Sequence, residues 1–197
     1  MSLDTTKIIK IFSSGDLPRD HKGIIGVFGI YAAYNLNEFF YKVVSRALMK
    51  VSPEEAAQIE TQLYEAVLEC AYQTFHGART SLTWEQEVSP MIRSPEEEIE
   101  ALVAFTNVFG IGFLEIKELI PGKRLVIQVG NAYDPKRYLE EYGPQPVGRC
   151  YMFRACTASY MDLVYGPPFP RGKGTFRCQE VRCRSMGDPY CEFVAER

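Results

Sequence analysis

Six cysteines are distributed unevenly along the 197-residue chain. Cys70 stands alone, whereas the other five lie between Cys150 and Cys191. Thiolates and carboxylates are ligands that zinc accepts, and a zinc site with four protein ligands is structural. Free cysteine is also among the most buried residue types, so these residues could equally be plain core side chains. Spacing alone leaves both interpretations open.

The segment 176–193 holds the densest group of possible ligands. Its Gly-Asp-Pro sequence at 187–189 is a turn signal between two strand-like runs, which brings Cys183 and Cys191 near each other across a hairpin loop. Glu180 lies three residues before Cys183 and therefore on the opposite face of a regular strand. It could join the two cysteines only if the chain bends or bulges between them.

The same segment resembles the C-terminal signature of the 4-vinyl reductase domain family. The matching pattern is Glu180-x-x-Cys183 followed by Gly187-Asp188-Pro189-Tyr190-Cys191-x-Phe193. That family comprises small-molecule-binding domains, including sensor modules of phenol- and xylene-responsive transcription activators, and its fold is similar to that of TRAPP transport-particle subunits. The resemblance is specific over about the last quarter of the chain.

An earlier cysteine of the family opens a helix that carries small residues five and nine positions on and ends at a glycine sixteen positions on. Cys150 fits this pattern, with Ala155, Ser159 and Gly166 at those offsets, and Cys156 does not. The resemblance therefore implies a zinc site, whose ligands are Cys150, Glu180, Cys183 and Cys191. Cys156 and Cys178 are the candidate substitutes if one ligand is misassigned.

The resemblance also implies a pocket between sheet and helices for a small, largely apolar ligand of aromatic, hydrocarbon or tetrapyrrole-like type. Positions carried over relative to Cys150 are Ile127, Val129, Asn131, Arg154 and Tyr160. The two aliphatic residues could equally be hairpin core. An arginine in an apolar cavity needs a partner, so we hypothesise a ligand with a carboxylate or similar anion. The alternative is that Arg154 balances the charge of the zinc thiolates.

Helical signals dominate the first half of the chain. Apolar spacing predicts a helix over 31–50, and a Ser-Pro-Glu-Glu sequence at 52–55 and again at 94–97 predicts two capped helix starts. We expect the first of these two helices to end at Gly77. The buried side of the second helix is expected to contain Ile99, Leu102, Val103 and Phe109.

The second half predicts two hairpins separated by a helix. Alternation over 113–129 around a turn at 121–123 indicates the first hairpin, 149–165 indicates the helix, and 175–183 with 190–194 indicates the closing strands. The fold class is therefore α+β, with N-terminal amphipathic helices packed on an antiparallel sheet. We expect one domain over 1–197, with a mainly helical part at 1–110 and a sheet-forming, zinc-bearing part at 111–197.

Charge is divided along the chain in the same way. The 22 Lys and Arg against 25 Asp and Glu give a net charge of −3, which argues against direct binding of nucleic acid. Residues 52–100 contain eleven acidic and two basic side chains, whereas 149–184 contain seven basic and two acidic ones. The arginines available to compensate zinc thiolates are Arg149, Arg154, Arg177, Arg182 and Arg184.

Signals for catalysis and targeting are sparse. There are two histidines, and we find no nucleophile elbow, phosphate loop, secretory signal or membrane span, so we expect a cytoplasmic protein. The favoured function is a sensory or regulatory small-molecule-binding domain with a possible protein partner for output. An enzyme or accessory that reduces tetrapyrrole vinyl groups and an assembly scaffold are the alternatives. A homodimer is expected, with a candidate apolar surface at Tyr31, Tyr34, Phe39, Phe40 and Tyr41.

Overall fold

An antiparallel sheet, the helix packed on it and the residues that directly flank them carry five of the six cysteines. The structure is a computed structural model; it describes residues 3–13, 25–27, 30–32, 47–48, 50–132, 139–140 and 142–197, with the backbone alone at 25–27 and 30–32. The helices described there are α1 (Thr5–Ser13), α2 (Pro53–Arg79), α3 (Pro95–Thr106) and α4 (Tyr151–Tyr165). The strands are β1 (Ile25–Val27), β2 (Ile30–Ala32), β3 (Leu114–Ile120), β4 (Arg124–Val129), β5 (Arg177–Arg182) and β6 (Cys191–Glu196).

The expected α+β fold is confirmed, including two hairpins with a helix between them. Strands β3 to β6 form one sheet in the order β3-β4-β6-β5, and all neighbouring pairs are antiparallel. The separate pair β1-β2 is also antiparallel. Strand β4 lies inside the sheet, and Leu125, Ile127 and Val129 on one of its faces are fully buried.

Helix α4 lies between the sheet and helix α2. It contacts β4, β5 and β6 on one side, α2 on the other, and also α3. Ten of its 15 residues are buried, so it is covered on nearly all sides. An amphipathic helix at a surface buries a single stripe, whereas α4 is a core helix. The residues at its N-terminus are therefore held by packing as well as by hydrogen bonds.

The two predicted helix starts are present with their caps. The Ser52 hydroxyl accepts a hydrogen bond from the backbone of Glu55, and the Glu55 carboxylate accepts one from the backbone of Ser52, which completes a capping box. The Ser94 hydroxyl accepts from the backbone N–H of Glu97 in the same way. Each cap satisfies N–H groups that a helix N-terminus leaves without intrahelical partners.

Three details of the predicted helices are wrong. Helix α2 continues through Gly77 to Arg79, because it buries Phe75 and Ala78 on either side of the glycine, and that burial outweighs a helix penalty of about 1 kcal/mol. Helix α3 ends before Phe109, which lies in a following 3-10 turn and is 46% exposed. The helix expected over 31–50 does not begin at Tyr31, since 31–32 belong to β2.

The proposed apolar surface for a homodimer cannot be placed on this structure. The residues after Tyr31 that were expected to form it, together with most of the predicted helix, lie outside the described residues. Among the described residues, no helix combines the length and the apolar composition that crossing a bilayer requires.

Asp162, near the end of α4, holds the loop that leads into β5. Its buried carboxylate accepts hydrogen bonds from the backbone N–H groups of Gly174 and Phe176, at 2.7 and 2.8 Å. Burial raises the pKa of Asp162 to about 6, although these hydrogen bonds act in the opposite direction. The carboxyl group is therefore protonated in the folded chain at a pH where it would be ionised in the unfolded chain.

This raised pKa predicts a pH-dependent stability. Because the folded chain binds the extra proton, the stabilisation is complete below about pH 4 and is lost as the pH rises through about 6. Relative to an Asp162→Asn variant, the wild type should lose about 2 kcal/mol between pH 4 and pH 7, measured by urea unfolding. The exposed Asp4→Asn variant is the control and should track the wild type. A pH slope in Asp162→Asn equal to that of the wild type would contradict the prediction.

Candidate metal centre

Four acidic side chains from three separate segments meet at one end of the sheet. Cys150 is the N-cap residue of α4, Glu180 lies in β5, Cys183 follows β5, and Cys191 begins β6. Their ligand atoms all lie within 4.8 Å of one another. The three cysteines are buried, at 0 to 3% exposure. The structure thus brings together all four residues that the resemblance implies as zinc ligands.

The sulfur atoms have the spacing of a metal centre and not of a disulfide. The Sγ–Sγ distances are 3.7 Å for Cys150–Cys183, 3.8 Å for Cys150–Cys191 and 3.9 Å for Cys183–Cys191. Ligands placed tetrahedrally at a Zn–S distance of about 2.3 Å lie about 3.8 Å apart. A disulfide would need sulfur atoms about 2.05 Å apart. The triangle of sulfurs therefore fits a tetrahedral ion.

A β-bulge brings Glu180 to the same side as Cys183. The pairing of β5 with β6 shifts between Glu180 and Arg182, so that Val181 is the extra residue. Val181 points away from the core, with 48% of its surface exposed, while its neighbours in the cluster are covered. In a regular strand residues three apart lie on opposite faces, and one inserted residue restores them to the same face. Glu180 could join the two cysteines only through a bend or bulge, and the structure contains that bulge.

One oxygen of the Glu180 carboxylate is available to a cation. Oε2 accepts a hydrogen bond from the backbone N–H of Cys150 at 3.0 Å, whereas Oε1 is buried without a hydrogen-bond partner among the described residues. A buried polar oxygen without a partner is costly, and a metal bond would satisfy it. Three thiolates and one carboxylate oxygen are a donor set that zinc accepts. The donors present therefore fit the implied ion.

The pKa values of the ligands also fit a site for a cation. Burial raises the pKa of Glu180 to about 8 and that of Cys150 well above its ordinary value. Hydrogen bonds with the thiols of Cys150 and Cys183 lower the pKa of Cys191 to about 4. Without a cation, the cluster thus keeps some protons and ionises where neighbouring thiols can donate. A divalent ion can replace those protons.

Backbone groups contribute positive potential at two of the sulfurs. The N–H of Arg184 points at Cys191 Sγ at 3.4 Å, and Cys150 occupies the positive end of α4. Ser185 Oγ lies 3.0 Å from Cys183 Sγ, and Asp188 accepts a hydrogen bond from the backbone N–H of Cys183. These contacts orient two of the ligands, as outer partners of metal ligands commonly do.

Three of the arginines expected to balance the charge of the cluster contact other groups. Arg149 binds Glu60, Arg182 forms a longer pair with Glu192 at 3.8 Å, and Arg154 lies over the ring of Tyr64. Arg177 belongs to the opposite, outer face of the sheet. The basic bias of this region thus does not act through side-chain contacts to the described ligands.

Cys156 and Cys178 lie outside the cluster. Cys156 is buried in α4 near Tyr160, and burial raises its thiol pKa to about 12. Cys178 is buried in β5, where its thiol donates weakly to the carbonyl of Gln179, and burial raises its pKa well above the ordinary range. Both are protonated thiols at neutral pH. They are core side chains, which is the alternative to a ligand role that the sequence left open for every cysteine.

The five expected pocket residues occupy different environments. Ile127 and Val129 are fully buried on the inner face of β4. The Tyr160 hydroxyl lies 2.5 Å from the hydroxyl of Thr106 in α3. Asn131 is exposed, and its side-chain oxygen accepts a hydrogen bond from the backbone just before β3. Asn131 thus joins the segment after β4 to the segment before β3, at the open end of the hairpin.

Arg154 lies on the side of α4 that faces α2. Six residues separate it from Tyr160, which places the two side chains about 120° apart around the helix. Its guanidinium carbon lies 4.4 Å from the ring centroid of Tyr64, and its Nε is buried without a hydrogen-bond partner among the described residues. Burial raises the pKa of Tyr64 to about 12, so this tyrosine is neutral and offers its ring face to the cation.

Residues next to Cys150 connect the cluster to helix α2. Arg149 Nε lies 2.6 Å from Glu60 Oε1, and the hydroxyl of Tyr151 donates to the same oxygen at 2.8 Å. Both side chains of the ion pair are mostly buried, with 16% and 22% of their surfaces exposed. One carboxylate on α2 thus holds the chain on both sides of the first ligand. Sequence reasoning missed Glu60, because nothing local marks a contact between residues 89 apart.

Comparison with known proteins supports the fold. No family model matches the chain, and no curated protein matches it. Among solved structures, the crystal structure of the phenol-responsive sensory domain of the transcription activator PoxR with phenol is similar to it. That match has a TM-score of 0.74 and 11% sequence identity, and covers 100% of this chain and 91% of the other. The two chains share a fold.

The contact between Glu60 and the residues around Cys150 predicts a measurable effect on metal retention. In Glu60→Ala, the segment that bears Cys150 loses its fixed link to α2, so zinc affinity should fall by about threefold to tenfold in competition with a chelator. Glu65→Ala is the control, because Glu65 is an exposed carboxylate on the same helix. Equal zinc affinities for the two variants would show that this link does not support the centre.

Proposed function

We propose that this chain is a small-molecule-binding sensory domain, similar to 4-vinyl reductase domains, in which Cys150, Glu180, Cys183 and Cys191 bind zinc. The observation that carries the proposal is the buried cluster of three thiols and a carboxylate, in a fold shared over the whole chain with a phenol-responsive sensory domain. Because all four positions of a tetrahedral ion are filled by protein ligands, the zinc has a structural role.

The ligand is proposed to occupy the region between α2, α4 and the sheet. Arg154 supports this location, because its buried Nε has no hydrogen-bond partner among the described residues and Tyr64 offers only a ring face. A buried guanidinium group pairs well with a carboxylate, which can accept two of its hydrogen bonds. The proposed ligand class is therefore a small aromatic or hydrocarbon compound with an anionic group, rather than a neutral phenol.

Two further elements of the proposal concern assembly. We propose that the chain acts as a homodimer, and that a separate protein receives the signal of ligand occupancy. We also propose that 1–197 is a single domain located in the cytoplasm. Full coverage of the chain by one sensory domain structure supports the single-domain part.

The zinc site is tested by metal analysis of purified protein. The wild type should contain about one zinc ion per chain, and both Cys183→Ser and Cys191→Ser should lose most of it, because each removes one of four ligands. Cys70→Ser is the matched control, since Cys70 is exposed on α2 and stands apart from the cluster. Full zinc occupancy in both ligand variants would refute the site.

The ligand class is tested with benzoate and phenol as probes. If Arg154 pairs with an anion, the wild type should bind benzoate more tightly than phenol, and Arg154→Met should weaken benzoate binding by about tenfold or more while leaving phenol unchanged. Calorimetry measures both affinities. Arg177→Met, which removes an exposed arginine of the outer sheet face, should bind benzoate like the wild type. Unchanged benzoate affinity in Arg154→Met would contradict an anionic ligand at this position.

A further inference from the structure

Gly148 lies two residues before Cys150 and directly against the carboxylate of Glu180. A Cβ atom at this position would lie 2.4 Å from Glu180 Oε2, 2.5 Å from Glu180 Cδ and 3.0 Å from the Cβ of Cys183. The first two distances are well inside van der Waals contact, so a side chain and the carboxylate cannot occupy their present places together. A residue with a Cβ atom fits here only if the Glu180 carboxylate moves from its present place.

Space, and not backbone conformation, explains this glycine. Gly148 is not among the glycines with a left-handed backbone, in contrast to Gly143 and Gly187 in the neighbouring loops. Any residue could therefore adopt its backbone angles. The requirement comes from the close approach of the Glu180 carboxylate to the backbone of the segment that leads into α4.

The carboxylate of Glu180 is confined from two sides. The backbone N–H of Cys150 holds Oε2, and the backbone of Gly148 lies against the same oxygen and its carbon. Oε1 is then the atom without a hydrogen-bond partner among the described residues, and it is buried. This arrangement fixes Oε2 by a backbone hydrogen bond and leaves Oε1 as the oxygen that a cation could bind.

We propose that Gly148 is a positioning residue that gives the metal its fourth protein ligand. The inference rests on the proposed zinc site, and it adds the reason why that site is closed. With a side chain at 148, the carboxylate must turn away, and the ion keeps three thiolate ligands. The vacated position then takes a water molecule or an added anion, which makes the centre open in the sense of a catalytic zinc site.

The proposal is tested on the full chain loaded with Co²⁺, whose visible absorption reports coordination. The variants are Gly148→Ala, Glu180→Gln, Glu180→Ala, and the double variant that combines Gly148→Ala with Glu180→Ala. Gly130→Ala is the matched control, because a Cβ at Gly130 meets nothing within 4 Å. Each protein is titrated with azide as an added anion, and its Co²⁺ affinity is measured against a chelator.

We expect azide to change the Co²⁺ spectrum of Gly148→Ala and Glu180→Gln but not that of the wild type or Gly130→Ala. These two variants should bind Co²⁺ about tenfold to a hundredfold more weakly than the wild type. In a Glu180→Ala background, where the clashing side chain is removed, Gly148→Ala should cause no further loss. This background also shows whether an alanine at 148 is compatible with the fold.

Two different failures are distinguishable. A wild type that binds neither Co²⁺ nor zinc overturns the proposed metal site, and the role of Gly148 with it. A wild type that binds Co²⁺, together with a Gly148→Ala variant of equal affinity and no azide response, overturns only the role of Gly148. An equal further loss in the Glu180→Ala background would also overturn it, because the residue would then act through something other than the carboxylate.

Discussion

The close packing of four acidic groups in a largely buried site constrains the rest of this structure. The ligand atoms of Cys150, Glu180, Cys183 and Cys191 lie within 4.8 Å of one another, and burial makes their simultaneous ionisation unfavourable. A cation reverses this balance, since it compensates the charges and satisfies the free oxygen of Glu180. A single ion would then connect the start of α4, the end of β5 and the start of β6, which are segments far apart in sequence.

The surrounding structure is arranged to hold those donors in place. The backbone N–H of Gln145 donates to the carbonyl of Ser185 at 2.7 Å, so the segment before α4 is joined to the hairpin loop that carries Cys183. Arg149 and Tyr151 attach the same segment to Glu60 on α2. These contacts limit how far the ligands can separate when no ion is bound, which lowers the entropic cost of forming the centre.

Local chemical signals predicted α2 to α4 and the two hairpins of the main sheet, but not α1 or the pair β1-β2. The site depended on details that act over longer distances. The caps at Ser52 and Ser94 and the turns of both hairpins follow from local residue types, and the structure contains them. The sequence indicated that a bulge was needed but not where it would lie. Valine is common at regular strand positions, so Val181 itself does not mark the bulge.

Gly148 illustrates the same limit of sequence reasoning. Gly148 is important for a contact with a side chain 32 residues later, and no local turn marks it. Gly77 shows the opposite error, since a residue that often ends helices lies inside α2, where buried neighbours keep the helix intact. In both cases tertiary packing, and not local conformational preference, determines what the glycine does.

Both ends of α4 are held by contacts with segments outside the helix. At the N-terminus lies the cluster of three cysteines and Glu180, and near the C-terminus Asp162 binds the loop before β5 through two backbone N–H groups. Helix α2, by contrast, is largely exposed over 53–59, and meets this region through Glu60 and Tyr64, which are about one turn apart. On the proposed function, zinc would join the start of α4 to the sheet, and a ligand that pairs with Arg154 would change the contact of α4 with Tyr64 on α2.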